Sequence, residues 1–153
     1  MAARPNRTHT AADGSYYFLD LPDGDYRLTA SLPDSGSRYG TATSEQPAKI
    51  SRNAKGKINL TTVNLALPPT ALSGKITDRK KTATAVVMAD VELKGSAERA
   101  FTDAGGQYLL TGLEAGKRTV VAVAQGYEKQ SQTVELTRGA TVEMDFSLEP
   151  KTP

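Results

Sequence analysis

Hydrophobic and polar residues alternate most cleanly near the C-terminal end of the chain. There Val142, Met144, Phe146 and Leu148 interleave with Glu143, Asp145, Ser147 and Glu149. A period of two is the signature of a strand with one buried face, so this run predicts one strand burying four apolar side chains. The same period recurs upstream. Leu72, Gly74 and Ile76 make one alternating run, Ala89, Val91 and Leu93 a second, and Val134 and Leu136 a third. Tyr26, Leu28 and Ala30 alternate with Arg27, Thr29 and Ser31. Shorter β-prone runs lie at Tyr16-Tyr17-Phe18-Leu19, at Ala48-Lys49-Ile50 and at Ile58-Asn59-Leu60, the last continuing through Val63, Leu65 and Leu67. Turn residues separate them: Asp13-Gly14, Leu21-Pro22-Asp23-Gly24-Asp25, Asn53-Ala54-Lys55-Gly56, Gln125-Gly126-Tyr127 and Arg138-Gly139. These supply the positive-φ or proline-preset positions of tight turns. Residues 32–46, with Pro33, Gly36, Gly40 and many hydroxyl side chains, read as a loop. No stretch carries a helical period, and short strands between turns predict an all-β sandwich.

The chain also contains one of its patterns twice. Thr102 to Val123, TDAGGQYLLTGLEAGKRTVVAV, matches Thr10 to Ser31, TAADGSYYFLDLPDGDYRLTAS. Thr10/Thr102, Gly14/Gly106, Tyr16/Tyr108, Leu21/Leu113 and Gly24/Gly116 are all 92 positions apart. The repeat predicts two small domains. Pro68-Pro69, which cannot donate to a ladder, sets the expected boundary. Residues 1–9 are then a flexible N-terminus, 10–69 a first β-sandwich repeat and 70–150 a second.

The second copy resembles the carboxypeptidase regulatory-like domain family. The resemblance rests on Leu72-Ser73-Gly74-Lys75-Ile76-Thr77-Asp78, Ala89-Asp90-Val91-Glu92-Leu93 and Thr102-Asp103-Ala104-Gly105-Gly106-Gln107-Tyr108. Leu113-Glu114-Ala115-Gly116, Gly126-Tyr127 and Phe146-Ser147-Leu148 complete it, across almost all of 71–149. Arg118 departs from the pattern, since the family carries an aromatic there; the first copy keeps one as Tyr26. The resemblance implies two tandem prealbumin-like (Ig-like) antiparallel sandwiches, the first incomplete. Leu72 and Leu93 lie 30 and 9 positions before Thr102, so the first copy lacks the two opening strands of the pattern. An unpaired sheet edge invites another chain, and the insert 32–58, a partner or sequence outside this chain is expected to fill the place. The family implies a non-catalytic module. Similar domains are appended to metallocarboxypeptidases, outer-membrane receptors, adhesins and components of phage-like contractile injection particles. That range implies a spacer, decoration or docking subunit of a larger protein or assembly, in an extracellular or cell-envelope setting, with a protein partner or self-association through strand addition.

Composition narrows the chemistry. The chain of 153 residues has no cysteine, which excludes disulfide and thiolate-metal frameworks, and a single histidine, His9. A Ser-His-Asp triad or a histidine-based zinc site would have to be built on that one residue. No nucleophile-elbow, phosphate-loop or dinucleotide motif is present. No catalytic, cofactor-binding or metal-ligating residue is therefore expected, nor any cofactor. The formal charge of +2 is spread along the chain, which argues against nucleic acid. The densest basic run, Arg79-Lys80-Lys81, reads as a solvated loop between strands. No segment approaches the roughly 20 apolar residues of a membrane helix, and the N-terminus has no apolar core of a secretory signal. Beside the structural reading stand an accessory domain of an enzyme whose catalytic part is not in this chain, and two ligand readings. Asp13, Asp20, Asp23 and Asp25 offer carboxylates to calcium, although Asp also favours turns for its own sake. Tyr16, Tyr17, Phe18, Tyr26 and Tyr39 offer a stacking platform to carbohydrate, which requires at least two of Tyr16, Tyr17, Tyr39 and Tyr127 to share an exposed face. Asn6-Arg7-Thr8 and Asn59-Leu60-Thr61 match the glycosylation pattern.

Overall fold

The computed structural model describes residues 7–82 and 84–152. Among them no α-helix forms; one 3₁₀ turn, Pro33–Ser35, interrupts a succession of strands. The first four strands are short: β1 (Gly24–Tyr26), β2 (Thr29–Ala30), β3 (Ala42–Thr43) and β4 (Ala48–Ile50). Then come β5 (Ala71–Asp78), β6 (Asp90–Leu93), β7 (Arg99–Phe101) and β8 (Gln107–Thr111). The last four are β9 (Gly116–Val123), β10 (Gln130–Leu136), β11 (Thr141–Glu143) and β12 (Phe146–Leu148). The expected flexible segment 1–9 falls mostly outside the described residues; Arg7 to His9 have no regular structure.

The chain divides into two compact units, one holding residues up to Leu28 with Thr43–Asn64, the other Thr29–Ala42 with Leu65 onwards. In the second unit one sheet has the order β10-β9-β6-β7, while in the other β5 pairs antiparallel with β8 and parallel with β11 and β12. Alternation sends Leu72 and Ile76 of β5, Tyr108 and Leu110 of β8, and Phe146 and Leu148 of β12 into the core. From the facing sheet Val91, Leu93, Val120, Ala122, Val134 and Leu136 enter the same core. Two sheets closing on one core make this unit the expected sandwich.

The predicted C-terminal strand is two strands. The ladder breaks at Met144-Asp145, where Met144 donates its N–H to Ser73 O at 2.8 Å and Asp145 Oδ1 accepts the N–H of Lys75 at 2.8 Å. Phe146 and Leu148 are fully buried, but Val142 and Met144 only half so. A bulge of this kind re-aims side chains at a sheet edge.

The single division expected at Pro68-Pro69 is replaced by three crossings, because residues 37–40 and 68–70 are bound into the second unit. Thr70 donates its N–H to Arg38 O and its hydroxyl to Ser37 O, at 2.8 and 2.6 Å. Ala115 N–H reaches Ser37 Oγ, Arg138 Nε reaches Tyr39 O, and Arg38 Nη1 donates to Gly112 O at 2.7 Å and pairs with Glu98 at 2.8 Å. The loop expected over 32–46 is thus in part a structural strap. Gly40 and Gly139 make it possible, since a Cβ on Gly40 would come within 2.9 Å of the Gly139 Cα.

Among its described residues the first unit closes no sandwich. Its regular part is the ladder β1–β4, with Gly24 opposite Ile50 and Tyr26 opposite Ala48. Arg52 and Ile58 bridge around a turn in which Asn53 Oδ1 accepts the N–H groups of Lys55 and Lys57. The strands expected at 16–19 and through 58–67 do not form, and the run 26–30 breaks into β1 and β2. In the second unit β8 and β12 both pair with β5; among the described residues neither 16–19 nor 58–67 has such a ladder.

Candidate functional site

The first unit repeats local features of the second unit's hairpin. The turn before Tyr16 repeats the turn before Tyr108 bond for bond. Ala11 N–H meets Ser15 O at 2.8 Å and Gly14 N–H meets Ala11 O at 2.9 Å; Asp103 N–H meets Gln107 O and Gly106 N–H meets Asp103 O, both at 2.9 Å. Gly14 and Gly106 adopt φ of 85° and 76°, which side chains with a Cβ avoid. Asp20 stands at φ 55° where its counterpart Gly112 has 68°, so the next turn is also preserved.

Beyond the turn, Tyr16 and Phe18 point one way and are half-buried, whereas Tyr17 and Leu19 point outward and are 71% and 82% exposed. Tyr16 and Phe18 meet edge to face at 6.1 Å. On the far side lie Ile58 and Leu60, the latter 92% exposed, and half-buried Val63. The two sides are joined by Tyr16, whose hydroxyl donates to Val63 O at 2.6 Å.

The second unit shows what such a bond spans. Tyr108, the counterpart of Tyr16, donates its hydroxyl to Met144 O at 2.5 Å. Between them runs β5: Gly74 sits opposite Tyr108, and Ser73 accepts from Met144 on the other side. The tyrosine therefore reaches across a whole strand, a separation of roughly 9–10 Å between its neighbours. Val63-Asn64-Leu65-Ala66-Leu67-Pro68-Pro69 aligns with Met144-Asp145-Phe146-Ser147-Leu148-Glu149-Pro150 at an offset of 81, so Val63 is the register counterpart of Met144. In the first unit the same bond is made; among the described residues no strand pairs with 16–19, and on the Val63 side Asn59 N–H bonds Ser51 O and the Thr61 hydroxyl bonds Lys49 O, both at 3.0 Å. The candidate site is this open strand position.

The two hairpin threonines differ in their surroundings. Thr102 is buried, its hydroxyl donating to Val86 O at 2.6 Å and accepting from Ala89 N–H at 2.8 Å. Thr10, its counterpart, is exposed, and the counterparts of Val86 and Ala89 fall outside the chain. At the other end of the hairpin the copies use different residues for one bond: Tyr26 Oη donates to Pro22 O at 2.6 Å, and Arg118 Nη1 to Glu114 O at 3.2 Å. Arg118 thus replaces the aromatic of the family pattern without losing its acceptor.

The ligand readings fare differently. Among the described residues no three His, Asp or Glu gather as a metal cage. Asp13 accepts from the N–H and hydroxyl of Ser15, which hold its carboxyl below the usual range, and Asp23 pairs with Arg52 at 2.5 Å. Both carboxylates serve turns and pairs. Of the four tyrosines proposed for sugar stacking only Tyr17 is exposed; Tyr16, Tyr39 and Tyr127 are half-buried, and Tyr127 donates to Asp78 at 2.8 Å. His9 is exposed and outside any strand. Asn6 lies outside the described residues, and Asn59 donates to Ser51 Oγ at 3.1 Å. Arg79 and Lys80 both face Glu149, at 3.7 and 3.4 Å, as befits a solvated turn. Among the described residues no helix is long and apolar enough to cross a membrane.

Sequence reasoning missed the strap at Ser37-Arg38 and the partner of Tyr16. The second was readable as the offset of 81, hidden because the loops after the two hairpins differ in length. The strap carries no pattern signal, since its bonds, from backbone and from the Ser37 and Arg38 side chains, go to residues far along the chain.

The model of the carboxypeptidase regulatory-like domain matches residues 71–149. No curated protein matches the chain. Among solved structures, a type II cohesin–X-dockerin complex from Acetivibrio cellulolyticus is 22% identical with a TM-score of 0.42, over 50% of this chain and 52% of that one. The minor pilin GBS52 of Streptococcus agalactiae is 16% identical with a TM-score of 0.45, over 94% and 68%. The Bacillus anthracis TIE protein is 13% identical with a TM-score of 0.43, over 97% and 33%. The match to the cohesin–X-dockerin chain spans about half of that chain's length.

Proposed function

The chain belongs to the carboxypeptidase regulatory-like domain family, and from that premise we propose that it is a non-catalytic structural module that docks a protein partner by strand addition. The second unit supplies the closed scaffold. The first, read as an incomplete sandwich over 10–69, supplies the docking position, so that the chain serves as a spacer or docking subunit in a larger protein or assembly. One observation supports this reading: the Tyr16 hydroxyl donates to Val63 O at 2.6 Å, as Tyr108 does to Met144 O across β5, while among the described residues no strand pairs with 16–19. Main-chain hydrogen bonds on both sides of an entering strand would provide affinity, and pockets for alternate side chains selectivity.

Photo-crosslinking tests the reading. A benzophenone amino acid is placed at Tyr17, at Leu60 or, as a control in the second unit, at Leu109 of the full chain in its source cells, and the adducts are mapped by mass spectrometry. Positions 17 and 60 are expected to label one and the same short segment of a partner, because they flank a single strand. Adducts at 109 with none at 17 and 60 would place the partner elsewhere and overturn the proposal.

A further inference from the structure

The strand position filled in the second unit states what the open one in the first requires. Strand β5 reads Leu72-Ser73-Gly74-Lys75-Ile76, with Leu72 and Ile76 fully buried and Ser73 and Lys75 turned away from the core. At its centre only glycine fits. A Cβ on Gly74 would lie 1.8 Å from Met144 O and 2.8 Å from Tyr108 Oη, well inside any tolerated contact. The obstacle is a backbone carbonyl with a tyrosine hydroxyl bonded to it, so no change of rotamer relieves it.

The first unit keeps each part of that gate. Tyr16 stands for Tyr108, Val63 for Met144, and the bond between them is made at 2.6 Å. Phe18 stands for Leu110, which faces Leu72 across the β5–β8 ladder, and it is half-buried where Leu110 is buried. Resting on the strand-addition reading above, we infer that the open position admits an extended segment of another polypeptide of the pattern apolar–x–Gly–x–apolar. Its glycine passes beneath the Tyr16–Val63 bond. The two apolar residues flank that crossing and complete the burial of Tyr16 and Phe18, and the segment runs antiparallel to 15–19 and parallel to 61–64. In the second unit a side chain at the central position is excluded by the carbonyl of Met144, and the carbonyl of Val63 is expected to exclude an ordinary alternating strand in the same way. The β5 strand of a second copy is a poor donor, since it would have to leave a sandwich in which Leu72 and Ile76 are fully buried.

The test uses the full chain labelled with ¹⁵N and two synthetic peptides, one with the sequence of residues 70–79 and one with valine in place of its glycine. The glycine peptide is expected to shift the amides of 15–19 and 61–64 on titration, leaving those of β6, β9 and β10 in place. The valine peptide should bind at least about tenfold more weakly, the factor expected when an added group meets backbone that cannot yield. Equal affinity of the two peptides would overturn the glycine requirement while leaving strand addition intact. Absence of binding by both would overturn the pattern, and the crosslinks at 17 and 60 would then report independently on whether any strand docks. Shifts confined to the second unit would overturn the assignment of the site.

Discussion

Replacing Gly74 by alanine puts a single methyl group where Met144 O already is. The new Cβ would stand 1.8 Å from that oxygen, 2.7 Å from its carbon and 2.8 Å from Tyr108 Oη, so the bulge at Met144-Asp145 must retreat by more than about 1 Å. Retreat breaks the 2.8 Å bond from Met144 N–H to Ser73 O and the Tyr108–Met144 bond. Overpacking alone costs about 1–3 kcal/mol, and each buried hydrogen bond lost adds about 1 kcal/mol. G74A is therefore expected to destabilise the second unit by about 3 kcal/mol, which for a domain of this size lowers the unfolding midpoint by at least about 10 °C. With no tryptophan in the chain, urea unfolding is followed by far-ultraviolet circular dichroism and tyrosine fluorescence. G95A is the control. Gly95 has φ 85° and nothing lies within 4 Å of where the added methyl would stand, so only the conformational cost of about 1 kcal/mol applies. Y108F should not rescue G74A, because the carbonyl remains when the hydroxyl is gone. A G74A protein within about 0.5 kcal/mol of the parent, or one fully restored by Y108F, would refute the idea that backbone closeness selects glycine there.

Three further outcomes follow from the two copies. T102V strands the Ala89 N–H and the Val86 carbonyl in the core and should cost about 2–4 kcal/mol, whereas T10V should change stability by less than about 0.5 kcal/mol; equal effects in urea titrations would contradict the missing-strand account. The Ser96 hydroxyl and the Arg38 guanidinium hold the Glu98 carboxyl at about 2, against an ordinary 4.5. A depressed carboxyl stabilises the fold above its unfolded value and loses that contribution as pH falls from about 4.5 towards 2, so the melting temperature of the second unit should drop across that window and E98Q should flatten the drop; superimposable profiles would remove Glu98 from the acid response. Finally, R118Y should preserve the bond to Glu114 O and leave stability within about 0.5 kcal/mol, while R118A, which abolishes it, should cost about 1 kcal/mol; a loss in R118Y as large as in R118A would show that the aromatic and the guanidinium are not equivalent there.

The fold of the second unit was legible because its strands are long enough for alternation to show and each meets a partner within the chain. Phe146 and Leu148 behave as their alternation predicts. Val142 and Met144 do not, since the bulge that turns them depends on Gly74 in a strand about 70 positions earlier, a distance no local pattern conveys. The runs at Tyr16–Leu19 and 58–67 have the right composition and yet form no strand. A strand is a property of a pair, and propensity cannot supply the other member. The arithmetic of the repeat predicts an open strand position in the first copy, which the crosslinking and titration experiments test. Its geometry needed the Tyr16–Val63 bond, which no spacing within the first copy announces.

The strap at Ser37–Gly40 bears on how this pair of modules can be exchanged or recombined. A gene fragment beginning at residue 70 would look complete by pattern, yet it would leave Thr70, the carbonyl of Gly112, the N–H of Ala115 and the carboxylate of Glu98 without the groups that satisfy them. Excision at the pattern boundary would therefore strip four polar groups of their partners, and any exchange of the second unit has to carry residues 37–40 with it.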